Sequence, residues 1–224
     1  MKKIALVFAV IISVGLISGS SKAQGVRMGL TASPSIAWFK PETADYESEG
    51  VRLGFSYGVV AEFFLAEHYS FATGMNITYL GGKLSFPTEE EFGGTTYNQK
   101  ERVYKLQNLE IPLTLKMKTR EIGYNTYFGV FGFGNSINLK ATGEDIYHDS
   151  TRPDMDIKSD IPFFRVSMIL GMGVEYSLGG NTALVGGVTF NNGFTNILKG
   201  ENPLSGRKQN ARANYIELSL GVLF

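Results

Sequence analysis

At 224 residues the chain has room for one large β domain or two smaller ones. Its 21 basic and 21 acidic side chains balance to a formal charge of zero, which argues against a nucleic-acid partner. The absence of cysteine rules out disulfides, thiolate metal sites and cysteine nucleophiles, and 27 glycines with 12% aromatic residues favour short strands and turns over helices.

The first segment carries Lys2 and Lys3, then an apolar run from Ile4 to Ile17, then small residues with Ser21 and Ala23 ahead of Gln24. The run is too short to span a bilayer as a helix. It predicts a secretory signal peptide over 1–23, cleaved after Ala23, followed by one domain over 24–224. Losing Lys2, Lys3 and Lys22 leaves 18 basic against 21 acidic side chains, a net charge of −3. Stability must then come from closure and packing rather than from disulfide staples.

From residue 26 onward the apolar side chains keep a period of two, the mark of a strand whose faces meet two environments. Val26, Met28, Leu30, Ala32, Pro34, Ile36 and Trp38 alternate with Arg27, Gly29, Thr31, Ser33 and Ser35. Val51, Leu53, Phe55, Tyr57 and Val59 oppose Arg52, Gly54, Ser56, Gly58, Val60 and Glu62. Tyr69, Phe71, Met75, Ile77 and Tyr79 form a third stripe, and Leu109 to Met117 a fourth opposite Glu110, Pro112 and Lys116. The strand from Tyr127 to Leu139 is noisier, because Phe128 and Val130 break phase. Phe164 to Tyr176 opposes Arg165 and Glu175; Leu184, Val188 and Phe190 define a seventh strand, and Ile216, Leu218, Leu220 and Val222 an eighth, which ends at Phe224.

Short connections near Ala66–His68, Thr119–Gly123 and Leu178–Thr182 alternate with long polar ones over Lys40–Gly50, Pro87–Arg102, Ala141–Pro162 and Leu198–Arg212. This is the plan of an all-β, eight-stranded antiparallel up-and-down transmembrane barrel with short periplasmic turns and long extracellular loops. A soluble barrel would also alternate, with its apolar face inward. Here the other face is rich in Gly, Ala and Ser, which suits a narrow lumen. Aromatics also bracket the apolar face: Trp38, Tyr69, Tyr79, Phe164 and Tyr176 read as interface girdles. Tyr69 and Tyr79, ten residues apart, span roughly 25 Å of height at ~3.3 Å per residue and ~40° tilt. Phe224 ends the closing strand and reads as an assembly signal for barrel-insertion machinery.

Charges of lumen parity are Arg27, Arg52, Glu62, Glu110, Lys116, Arg165, Glu175 and Glu217, four of each sign. A self-neutralising plug is the preferred reading, since unpaired buried charge is costly; an ion path lined by fixed charge is the other. Pro112, on the lumen face, calls for a local bulge or a lumen water, because proline cannot donate to a ladder; Pro34 allows the same account. No cofactor is expected, and no catalytic or metal site. His68 and His148 fall at opposite ends of the barrel, and the residue types of His148–Ser150 are sequence neighbours that do not converge for proton transfer. The acids Asp154, Asp156 and Asp160 lack the sixth-position glycine of a calcium loop, Ser159 standing there.

The stretch Asn108–Lys116, "NLEIPLTLK", resembles the Leu-Glu-Ile-Pro-Leu-x-x-Lys pattern of PorT-like outer-membrane barrel proteins. The Gly-rich second strand, "GFTNI" at Gly193–Ile197 and the terminal Phe224 are similar as well. The resemblance implies the outer membrane of a Gram-negative, Bacteroidetes-type bacterium, and a namesake needed for protein export. It leads to the expectation of a non-enzymatic structural or docking barrel that supports secretion. Its partners would be outer-membrane lipid and lipopolysaccharide, the barrel-assembly machinery, and envelope or secretion-system proteins. A narrow channel or transporter is the second reading and a lipid-modifying enzyme the third.

Overall fold

The ladder that closes the molecule joins its first strand to its last. In the computed structural model, which describes residues 25–148, 150–202 and 204–224, β1 (Val26–Pro41) pairs with β10 (Ala211–Leu223) from Gly29↔Leu223 to Pro41↔Ala211. The expected signal segment and its cleavage point after Ala23 lie outside the described residues. The seam extends one residue past the strand: the Phe224 N–H donates to the Met28 carbonyl at 2.8 Å, and Met28 N–H returns a bond to Phe224 at 3.1 Å.

Between them, β3 (Arg52–Ala66), β4 (Tyr69–Phe92), β5 (Thr95–Lys118), β6 (Asn125–Tyr147), β8 (Phe164–Gly179) and β9 (Thr182–Gly193) pair antiparallel in sequence order. Eight strands therefore form a closed ring. Closure removes the unpaired edges that an open sheet would present to hydrocarbon. Two short strands, β2 (Glu47–Ser48) and β7 (Ser150–Asp156), lie outside the ring and pair with β4 and β6.

The period-two pattern sorts as its chemistry demands. Along β1, Val26, Met28, Leu30 and Ile36 are exposed while Ser33, Ser35, Ala37 and Phe39 are buried. The exposed set continues around the ring, with Leu53 87% and Met172 72% accessible. A continuous apolar belt of this extent is unfavourable in water and suits a hydrocarbon surround. Phe128 and Val130 line the lumen, so the phase break in that strand marks apolar filling inside rather than an irregular strand.

The long connections differ from expectation. Residues 87–102 are not a loop, since β4 and β5 run on to Phe92 and Thr95 and turn through Gly93 and Gly94, at φ 62° and 81°. Two successive positive φ values are what a tight hairpin turn requires and glycine supplies. The extension is polar on its outer side, so an alternation test tuned to apolar residues passes over it. Likewise β6 continues to Tyr147 and folds back as β7, and a single 3₁₀ turn, Lys158–Asp160, follows.

Neither strand proline causes a bulge. The β4–β5 partners lapse between Thr73↔Leu113 and Asn76↔Glu110 with register unchanged, while Pro112 stays opposite Gly134 of β6. Pro34 behaves alike: the β1–β10 ladder lapses between Ala32↔Leu220 and Ser35↔Glu217. Each proline thus costs bonds on one side only, and the Asn135 amide donates to the Ile111 carbonyl at 3.4 Å beside Pro112. Bulges occur elsewhere, between Pro87 and Glu90 of β4 and at Gln107/Asn108 on the β5–β6 pair.

Candidate functional site: a lumen sealed at both ends

Five charged side chains close the short-turn end. Arg27 of β1, Glu62 of β3, Lys116 and Lys118 of β5, and Glu175 of β8 project inward from strands spread around the ring. Lys116 contacts Glu62 and lies 2.6 Å from Glu175 Oε1. Lys118 sits 2.7 Å from Glu62 Oε2 and 2.8 Å from Glu175 Oε1, and Arg27 bonds Glu175 and lies 3.5 Å from Glu62. Two phenyl rings complete the plate: Lys116 Nζ is 4.2 Å from the centre of Phe128, and Lys118 Nζ 5.1 Å from that of Phe64. Each cation faces a carboxylate and an aromatic face, an arrangement that offsets desolvation.

Above the plate lies a chamber of about 160 Å³, whose walls include Val60, Val130, Ile169 and Val185 together with Glu110 and Glu217. At its upper side Glu110 accepts from Tyr215 Oη at 2.8 Å, Ser136 Oγ at 3.0 Å and Arg165 Nη2 at 3.3 Å. Arg165 also lies 5.7 Å from the Tyr215 ring centre. Glu217 accepts from Ser56 Oγ at 2.8 Å and has no cationic partner among the described residues.

The other end is closed by the main apolar core rather than by charge. Phe39, Leu84, Tyr104, Ile157, Ile161, Ile197 and Leu198 pack there, contributed by strands and by the segments that fold over the mouth. Asn202 ties the last of these segments down: its amide donates to Tyr46 Oη and to the Pro87 carbonyl, each at 3.2 Å, and its oxygen accepts from Leu204 N at 2.8 Å and Ser205 N at 3.2 Å. Asn196 does the same at the base of that segment, donating to the Leu198 and Gln209 carbonyls at 2.7 Å and accepting from Ala211 N at 2.8 Å.

In the protruding β4–β5–β6 sheet a second ionic cluster is buried. Arg102 grips Asp145 with two bonds of 2.5 and 2.8 Å, and Lys100 bridges Glu90 at 2.5 Å and Asp145 at 3.3 Å. Burial raises the Asp145 carboxyl, but the Arg102 hydrogen bonds and charge outweigh it and hold the group below its ordinary range. Glu90 is likewise lowered against its own burial, by Lys100 and by the Tyr147 hydroxyl, which donates to it at 2.7 Å. Burial, and then Glu90, push the Tyr147 hydroxyl up.

Seven of the eight expected lumen charges point into the barrel, in two groups. Arg27, Glu62, Lys116 and Glu175 meet in the lower plate; Glu110, Arg165 and Glu217 stand at the chamber's upper side. Arg52 does not join them. It lies where β3 has parted from β4, whose pairing starts only at Phe55↔Tyr79, and its side chain passes over the outer side of Gly81, where a Cβ would stand 3.5 Å from Arg52 Cδ. Lys118 takes the fourth cationic place, and sequence reasoning missed it although it shares the parity of Lys116.

Of the expected girdle, Tyr69, Tyr79, Phe164 and Tyr176 are exposed on the belt, and Trp38 stacks on Phe190 with ring centres 6.2 Å apart. The structure adds Tyr57, stacked with Tyr79 at 6.5 Å, and Tyr124, 6.0 Å from Tyr176. Asp154, Asp156 and Asp160 serve separate partners, Lys105, the Lys158 N–H and Arg102. No group of three His, Cys, Asp or Glu able to hold a metal occurs among the described residues.

In fold the chain is similar to the outer membrane protein OprG of Pseudomonas aeruginosa, with a TM-score of 0.50 at 8% identity over 89% of this chain and 96% of that one. Neisserial surface protein A matches over 91% and 98% with TM-score 0.45 and 17% identity, and the outer membrane protease OmpT of Escherichia coli over 93% and 99% with 0.42 and 9%. No curated protein matches the sequence. Residues 20–221 match the family described as the outer membrane protein beta-barrel domain, so this closed, belt-bearing ring is a member of that family and an outer-membrane β-barrel protein.

Proposed function

We propose that this barrel is a non-conducting, non-enzymatic envelope protein with a structural or docking role, and that the ordered surface beyond its belt is where partners bind. The observation that carries this reading is the double closure of the lumen, by the Glu62/Glu175 plate at one end and the apolar core under Asn202 at the other. A side-chain-filled lumen leaves the outer surface as the place for interaction. The test is single-channel recording of the refolded barrel in planar bilayers: no appreciable conductance is expected, and sustained large unit currents would overturn the proposal.

The likeness of Asn108–Lys116 to PorT-like barrels supports a finer reading, a part in protein export in a Bacteroidetes-type outer membrane after removal of residues 1–23. On this reading Phe224, bonded into the seam, is the tag that barrel-assembly machinery recognises, and lipopolysaccharide surrounds the outer leaflet half. A deletion strain with a normal profile of secreted and surface proteins would remove the export role. The chamber of about 160 Å³ favours a narrow channel as the second reading, which the same recordings test.

A further inference from the structure

Two irregularities deliver two cations to one place on the outside of the barrel. By strict alternation Lys140 belongs with Ser136 and Asn138 in the lumen. The bulge at Gln107/Asn108 inserts Leu139, so Lys140 pairs with outward-facing Gln107 and points out. Arg52 starts from a lumen-parity position and crosses to the outer side of Gly81, which has no side chain to block it.

The two reach a groove of about 320 Å³ bounded by Tyr79, Gly81, Lys105 and Gln107. Three cations and no acid line it. Lys105 is held by Glu144 and Asp154 at 3.1 and 3.5 Å, whereas Arg52 and Lys140 have no carboxylate partner among the described residues. Lys158, whose ammonium donates to the Leu139 carbonyl at 2.9 Å, adds positive charge beside Lys140.

The height of the groove decides what it meets. Below it the outward face is apolar, with exposed Leu53 and Tyr79. Above it the outward face carries Lys83, paired with Glu101. The groove therefore stands where acyl chains give way to headgroups, and clustered cations at that level attract anionic headgroups. We propose that this groove binds the phosphate of an outer-leaflet lipid headgroup, the guanidinium of Arg52 and the ammonium of Lys140 flanking its oxygens. The proposal rests on the membrane-barrel reading and is independent of any role in export.

The test uses the refolded barrel in detergent, followed by native mass spectrometry with three probes: dioctanoyl phosphatidic acid, dioctanoylglycerol and inorganic phosphate. Wild type is expected to take up one phosphatidic acid saturably, and R52A/K140A to bind it roughly thirtyfold more weakly. Lys83→Ala, outside the groove, should bind as wild type. Equal binding by wild type and R52A/K140A overturns the site, and so does equal affinity for dioctanoylglycerol or an equal loss in Lys83→Ala. Binding of inorganic phosphate as tight as that of phosphatidic acid overturns the lipid source. Heat-modifiable migration on gels reports folding; should the double variant not fold, Lys140→Gln alone is expected to lose roughly fivefold. Recovery of R52A/K140A in the membrane pellet separates failure of the groove from failure of the barrel reading.

Discussion

Tyr215 of the closing strand reaches across the lumen to Glu110 of β5, its hydroxyl 2.8 Å from Oε2. This bond braces the seam from inside and satisfies a carboxylate that sits beside the chamber. Tyr215→Phe removes one of the donors to Glu110 without opening a void, and is expected to cost about 1–3 kcal/mol, the range for leaving a buried acceptor underbonded. Urea unfolding of the refolded barrel, followed by tyrosine-independent gel migration, measures it.

The lower plate predicts strong coupling between its members. Lys116→Met leaves Arg27 and Lys118 to share Glu62 and Glu175 and is expected to destabilise by about 1–3 kcal/mol, the range for losing a charge-assisted hydrogen bond. Glu62→Gln is expected to cost more, about 3–5 kcal/mol, because it leaves three cations with Glu175 as their one carboxylate among the described residues. Combining the two should cost clearly less than their sum, with a coupling of about 0.5–3 kcal/mol. Strict additivity in the double-mutant cycle would show that the plate is not a unit.

Asn202 is a latch with four partners from three segments. Asn202→Ala leaves the Pro87 carbonyl and two backbone N–H groups unbonded, and the segment near Gly200 and Gly206 should become the first site of limited proteolysis. Wild type should resist cleavage there while the barrel strands stay intact in both proteins.

The protruding sheet has its own pH response. Asp145 and Glu90 are held below their ordinary range in the folded protein, so their contribution is present above the carboxylate pKa of the unfolded chain, about 4. It is lost as pH falls through the lower folded values. Amide exchange in β4–β5 beyond Leu84 should therefore accelerate on acidification while the belt strands stay protected. Asp145→Asn should show that acceleration already at neutral pH.

Much of this architecture was legible because membrane and lumen impose opposite chemistries on alternate residues. Val26 to Trp38 and Ile216 to Val222 declare their faces without any tertiary information. What escaped were places where regularity stops. Arg52 and Lys140 have the parity of lumen residues, and only the parting of β3 from β4 and the bulge beside Asn108 send them outward. Lys118 was within reach of the same alternation, two residues beyond Lys116. The hairpin over 87–102 carried a signal as well, the Gly93–Gly94 pair, but its polar outer side resembles a loop. The apolar cap draws on residues as distant as Phe39, Ile157 and Leu198, and no local pattern announces that they meet.

The three longest strands stand side by side, which makes the molecule lopsided. From Tyr79 to Phe92 the β4 arm rises a further thirteen residues, roughly 30 Å at ~3.3 Å each with a tilt of ~40°. A chemical tag attached at Gly93 would ride on that mast, well clear of the bilayer and to one side of the ring, so a neighbour gripping the tip would leave the mouth above β8 and β9 uncovered.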